Sequence, residues 1–127
     1  MSLSIYTYGL STGGFGGIAL VVVKNNQPIK ETVQYIGRAK DSTLQLSAVI
    51  RAYNELRSND IATIYTDSSY IRDCNVNDEN SELWDQLGQL QEKFPNVRVE
   101  WIKPHAQNCW TTRAAYMARM SRYSCVM

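Results

Sequence analysis

Residues 61–74, IATIYTDSSYIRDC, decide how the rest of the chain reads. IATIYT (61–66) is compact, apolar and rich in β-branched residues, as a central buried strand should be. It stops on Asp67, and SSYIRDC (68–74) reads as a short helix directly after it. Upstream, LSIYTY (3–8) alternates and is aromatic and β-branched, GIALVVVKN (17–25) is a near-continuous apolar run, and NNQP reads as a turn. KETVQYIG (30–37) alternates, with Thr32 and Gln34 on one face and Val33 and Tyr35 on the other. Downstream, VRVEWI (97–102) alternates again.

Between these strands lie helical patterns. STLQLSAVIRAYNELRS (42–58) puts Leu46, Val49, Ile50, Tyr53 and Leu56 on one stripe, with Ser42 as its cap. NSELWDQLGQLQEKF (80–94) carries Leu83, Trp84, Leu87 and Leu90, with Pro95 just beyond. TTRAAYMARMSRY (111–123) is the last helix, with Ala115, Met117 and Met120 among its apolar positions. The order is βββαβαβα with one short extra helix, which predicts an α/β fold: one mixed five-stranded sheet with helices on both faces. Trp101 and Trp84 read as core, and Trp110 as a loop residue open to a partner.

The chain has 127 residues, 44% hydrophobic and 20% charged, which fits a single globular domain over 1–127. A net charge of +1 gives no global argument for nucleic acid or membrane. Locally, Asp78–Asp85 holds four acids and no base, whereas Arg98–Arg122 holds five bases against Glu100. The basic quarter could face a polyanion, and fits a solvated helix face equally well. Three cysteines without paired metal spacing point to reduced thiols and an intracellular, cytoplasmic setting. The longest apolar run, IALVVV, is far too short to cross a bilayer, so no membrane is expected.

These words in this order resemble the type I ribonuclease H family, over nearly the whole chain. IYTYG is similar to its first-strand signature, STGGFGGIAL to its glycine-rich hairpin, STLQLSA to the start of its first helix and IYTDSSYI to its aspartate-ended strand. SELWDQL and VEWIKPHA resemble two further segments, the second ending in a mobile loop that carries a histidine, and RAAYMAR is similar to the last helix. The resemblance implies two-metal hydrolysis of the RNA strand of an RNA–DNA hybrid by four acids. Carried over position by position, those acids become Tyr8, Gln45, Asp67 and Ala115, and only Asp67 is a carboxylate.

Two divalent ions about 3.5–4 Å apart need shared anionic oxygens to stay together. A phenol with a usual pKa of about 10, an amide and a methyl do not supply them. The expectation is a catalytically inactive domain with no cofactor, holding metal weakly at Asp67 if at all. Tyr8 would fill the vacated metal volume and donate to Asp67 or Gln45. A residually active enzyme using Mg or Mn is the alternative, with Asp41 or Asp73 as candidates to rebuild the site; both also fit plain helix positions.

Binding residues follow from the same resemblance. Gly13, Gly14, Gly16 and Gly17 keep the turn open to close approach or only shape a hairpin, Ser11, Thr12, Ser42 and Thr43 would donate to phosphates or 2′-hydroxyls, and His105 is the loop histidine or simply an exposed imidazole. The short acidic stretch CNVNDENSELWDQ stands where some family members carry a basic protrusion. The expected partner is an RNA–DNA hybrid or structured RNA. A protein partner is the competing expectation, met at Trp110 or the edge of the third strand, as is a purely structural interaction domain.

Overall fold

A computed structural model describes residues 2–12, 15–74, 78–103 and 114. The strands are β1 (Ser2–Thr12), β2 (Phe15–Lys24), β3 (Gln27–Arg38), β4 (Ile61–Thr66) and β5 (Val97–Trp101). The helices are α1 (Asp41–Tyr53), α2 (Ser69–Arg72) and α3 (Ser81–Lys93), with a 3₁₀ turn at Asp78–Asn80. The five strands form one sheet in the order β3-β2-β1-β4-β5. β1, β2 and β3 pair antiparallel as a meander, and β4 joins β1 and β5 in parallel. The expected mixed sheet is therefore present. The last helix, expected over 111–123, lies outside the described residues apart from Ala114, which is helical and buried.

Strand periodicity builds two layers. Ile5, Ile18, Leu20, Val22, Ala62, Ile64 and Val97 face α1 and α3, where Leu44, Leu46, Val49, Tyr53, Leu87 and Phe94 complete the main core. Tyr53 and Phe94 meet as tilted rings with centroids 5.6 Å apart. On the other face Ala19, Val21 and Val23 pack with Ala114, and Tyr6 and Tyr8 lie against them. β2 is covered on both faces, which is why its sequence is a continuous apolar run rather than an alternating one.

Several boundaries differ from the sequence expectation. β1 runs on to Thr12, past the expected 3–8, because it stays paired with β2 into the glycine-rich stretch. Three others differ for local reasons. β3 begins at Gln27 because Asn25 and Asn26 adopt φ of 53° and 60°, so two residues suffice to reverse the chain. Pro28 then pairs opposite Val23 beside a register shift, tolerated because β3 is an edge. α1 starts at Asp41 with Lys40 as its N-cap, so Ser42 is inside the helix and does not cap it. It ends at Tyr53 rather than Ser58: the N–H groups of Asn54, Glu55 and Leu56 bond three residues back, to Arg51, Ala52 and Tyr53, which tightens the chain out of the α-helix.

Trp101 is not a core residue. It is 36% exposed near the end of β5, and the Arg72 guanidinium lies 4.6 Å over its ring. Trp84 is partly buried against the main core and donates from Nε1 to the Tyr70 hydroxyl at 2.9 Å. Trp110 lies outside the described residues.

Candidate functional site

The site forms where β1 and β4 run out side by side. Their parallel register ends at Tyr6 opposite Tyr65, whose rings stack with centroids 4.8 Å apart. Tyr8 lies two residues further along β1, packed with the cluster on the sheet's second face, and Asp67 directly follows the end of β4. Thr7 closes the seam, its hydroxyl donating to the Tyr65 carbonyl at 2.8 Å. Tyr8 is half-buried, and its ring packs on the Ala19–Val21–Val23–Ala114 cluster.

Gln45 reaches this corner because the next residue of β1 is glycine. A Cβ on Gly9 would stand 2.6 Å from the Leu44 carbonyl carbon and 2.7 Å from the Gln45 nitrogen. Only a residue without one lets the first turn of α1 lie on the strand. Gly16 on β2 meets the same constraint from Leu10 and the Leu44 side chain.

Asp67 sits between two buried hydroxyl residues. Thr66 is 3% and Ser68 2% exposed, and Asp67 itself is half-buried. The Ser68 N–H donates to Thr66 Oγ1 at 3.2 Å. Ser68 Oγ caps α2 by accepting from the Ile71 N–H at 3.2 Å, and it donates to Gln45 Oε1 at 2.6 Å. The Gln45 carbonyl is thus turned to Ser68, leaving its amino group to point elsewhere. The expected Tyr8 bond to Gln45 has this competitor for the same oxygen.

As a metal site the donor set fits poorly. Asp67 offers a carboxylate, Gln45 an amide oxygen already held by Ser68, and Tyr8 a phenol. Among the described residues no group of three or more His, Cys, Asp or Glu side chains could hold an ion. Both acids considered for a rebuilt site have other partners. Asp41 Oδ1 accepts the Ser11 backbone N–H at 2.7 Å. Asp73 takes both arms of Arg72, at 2.9 and 3.2 Å, and that hydrogen bond holds its carboxyl below the usual carboxylate range.

The residues expected to bind are placed as follows. Thr43 Oγ1 donates to Asn80 Oδ1 at 2.9 Å, while Ser42 Oγ accepts from Asn80 Nδ2 at 3.4 Å. Asn80 is 2% exposed and also donates to the Tyr70 hydroxyl at 3.1 Å, so a buried network supports this first turn of α1. Ser11 and Thr12 end β1; Gly13, Gly14, His105 and Ala115 lie outside the described residues. Sequence reading missed Asn80 and the link from Ser68 to Gln45. The only signal was the serine after Asp67, which is visible as a cap; its second bond depends on a contact 23 residues away.

Comparisons with known proteins agree with this fold. The family model described as RNase H matches residues 1–120. Two curated relatives named Ribonuclease H are similar over most of both chains. The protein of Ehrlichia canis (strain Jake) is 32% identical over 91% of this chain and 90% of its own. That of Agrobacterium fabrum (strain C58) is 29% identical over 92% of each. Among solved structures, LC11-RNase H1 in complex with RNA/DNA hybrid superposes with a TM-score of 0.82 at 19% identity, covering 98% of this chain and 99% of that one. RNase H1 from the halophilic archaeon Halobacterium salinarum gives 0.72 at 17% identity, covering 98% and 99%. At those identities the structural likeness speaks for the fold.

Proposed function

The chain belongs to the ribonuclease H family, and from that premise we propose that it binds an RNA–DNA hybrid or structured RNA without hydrolysing it. The observation that carries the reading is the donor set: of the four positions only Asp67 is a carboxylate, the Gln45 amide oxygen is taken by Ser68, and Tyr8 is packed on the second-face cluster. A pair of divalent ions, Mg or Mn, would supply water activation and leaving-oxygen stabilisation in the family, and needs several shared carboxylates. These residues do not fit that requirement, so no step is routed through metal.

Binding rests on groups that need no metal. The glycine-rich hairpin, with Gly13 and Gly14 and the adjoining Ser11 and Thr12, brings main-chain N–H donors to a phosphate backbone. Ser42 accepts from Asn80 and keeps its own proton to donate outward, whereas the Thr43 hydroxyl is engaged by Asn80. His105 and the cations between Arg98 and Arg122 add positive charge toward the same polymer. The family match over 1–120 supports treating residues 1–127 as one domain. No helix among the described residues is long and apolar enough to cross a membrane.

The experiment is a titration of labelled RNA–DNA hybrid, duplex RNA and single strands at two salt concentrations, in EDTA and in Mg²⁺. We expect hybrid or RNA to bind in EDTA, with affinity that falls steeply as salt rises. No binding at low salt removes the nucleic-acid reading, and binding only with Mg²⁺ restores the two-metal one.

A further inference from the structure

The outer edge of β1 changes character partway along. Up to Tyr6 it is paired with β4, but its other edge stays paired with β2 as far as Thr12 opposite Phe15. From Thr7 onward the outer edge has no strand beside it among the described residues, and at Ser11 its N–H is taken by Asp41 Oδ1 at 2.7 Å. A carboxylate oxygen on a main-chain N–H makes the same kind of contact a phosphate oxygen would make. Asp41 is exposed, so an approaching phosphate meets its carboxylate directly. The cation next to it does not offset it freely, since Lys40 is paired with Glu79 at 3.1 Å.

We propose that Asp41 is an internal competitor for backbone phosphate at the glycine-rich hairpin, occupying the Ser11 N–H and repelling the polyanion that would use it. The inference rests on the nucleic-acid reading above and adds a residue that sets affinity and salt dependence. The chain would bind hybrid more weakly than its frame allows, and each bound phosphate at this point must first displace the Asp41 carboxylate.

The test is fluorescence anisotropy with labelled RNA–DNA hybrid across a salt series, on the full chain and on Asp41→Glu, Asp41→Asn and Asp41→Ala. Asp41→Asn keeps an oxygen for Ser11 and removes the charge, so it should bind about threefold tighter. Asp41→Ala frees the donor as well and should bind about tenfold tighter, with a salt slope steeper by about 0.9 for one added phosphate contact. Asp41→Glu should match the parent. In Asp41→Ala the Ser11 amide resonance should shift on adding hybrid, a readout that a merely structural clip would not give. If Asp41→Ala does not fold, Asp41→Asn decides alone. Binding by the parent with Asp41→Asn unchanged or weaker overturns this inference and leaves the nucleic-acid reading intact. No binding by any of the four proteins overturns both.

Discussion

The interior beneath α1 and the corner at the ends of β1 and β4 obey different rules. Beneath α1, shape decides: Leu44 and Leu46 are fully buried, and Gly9 has no room for a methyl group. At the corner, pairing decides: Ser68, Gln45, Asp41 and Ser11 are each held by a specific hydrogen bond. On the proposed reading, the contrast explains how a family frame can persist while its acids change. A residue at Gly9 is constrained by backbone contact whatever the protein does. An acid at position 8 or 45 is constrained only by the ions it serves, and converging carboxylates repel one another when no ion is present.

The sharpest way to break this contrast is to put the acids back. On the proposed reading, Tyr8→Asp, Gln45→Glu and Ala115→Asp together should give a chain that cuts hybrid in Mg²⁺ where the parent does not. Persistent inactivity in a folded triple variant would mean that the frame has also drifted. Next in size are steric changes beneath α1. Leu46→Ala should lose about 3 kcal/mol in urea unfolding, and Gly9→Ala a similar amount, because the helix must move away from the strand. A Gly9→Ala protein as stable as the parent would contradict the close approach.

Ser68→Ala at the corner should cost about 1–2 kcal/mol, from the lost cap of α2 and the released Gln45 oxygen. Tyr53→Phe sharpens the other side. The Tyr53 hydroxyl is buried with no hydrogen-bond partner among the described residues, so its removal should be neutral or stabilising by about 1 kcal/mol. Burial also raises the Tyr53 pKa, so its contribution is fully present below the ordinary tyrosine pKa and is lost as pH rises through the folded value. Tyr53→Phe should therefore flatten the alkaline limb of the stability profile. Smallest of all, Asp73→Asn should leave the melting temperature unchanged near neutrality, since the Arg72–Asp73 pair is exposed. Solvent screening keeps small whatever stability its lowered carboxyl pKa adds at neutrality, and that contribution fades as pH falls through the folded value.

Legibility in the sequence follows the same division. Strand alternation, the apolar run of β2 and the stripe of α1 were readable because burial repeats with the element's period. The length of α1 was not, since the turn after Tyr53 tightens within a sequence that keeps helical spacing. Trp101 was misread as core because alternation assigns a face without saying how far the covering layer extends; there the cover is a single turn of α2 with Arg72. At the corner, Asp67 and the substituted positions were visible as words. The bonds from Ser68 to Gln45 and from Ser11 to Asp41 join residues far apart in the chain, and no local spacing signals them.

The central claim is loss of two-metal chemistry, and cleavage of a labelled RNA–DNA hybrid by the purified chain in Mg²⁺ and Mn²⁺ tests it most directly. The account predicts intact RNA at times when the restored triple variant has digested it. Metal-dependent cutting by the parent chain, abolished by Asp67→Asn, would contradict it.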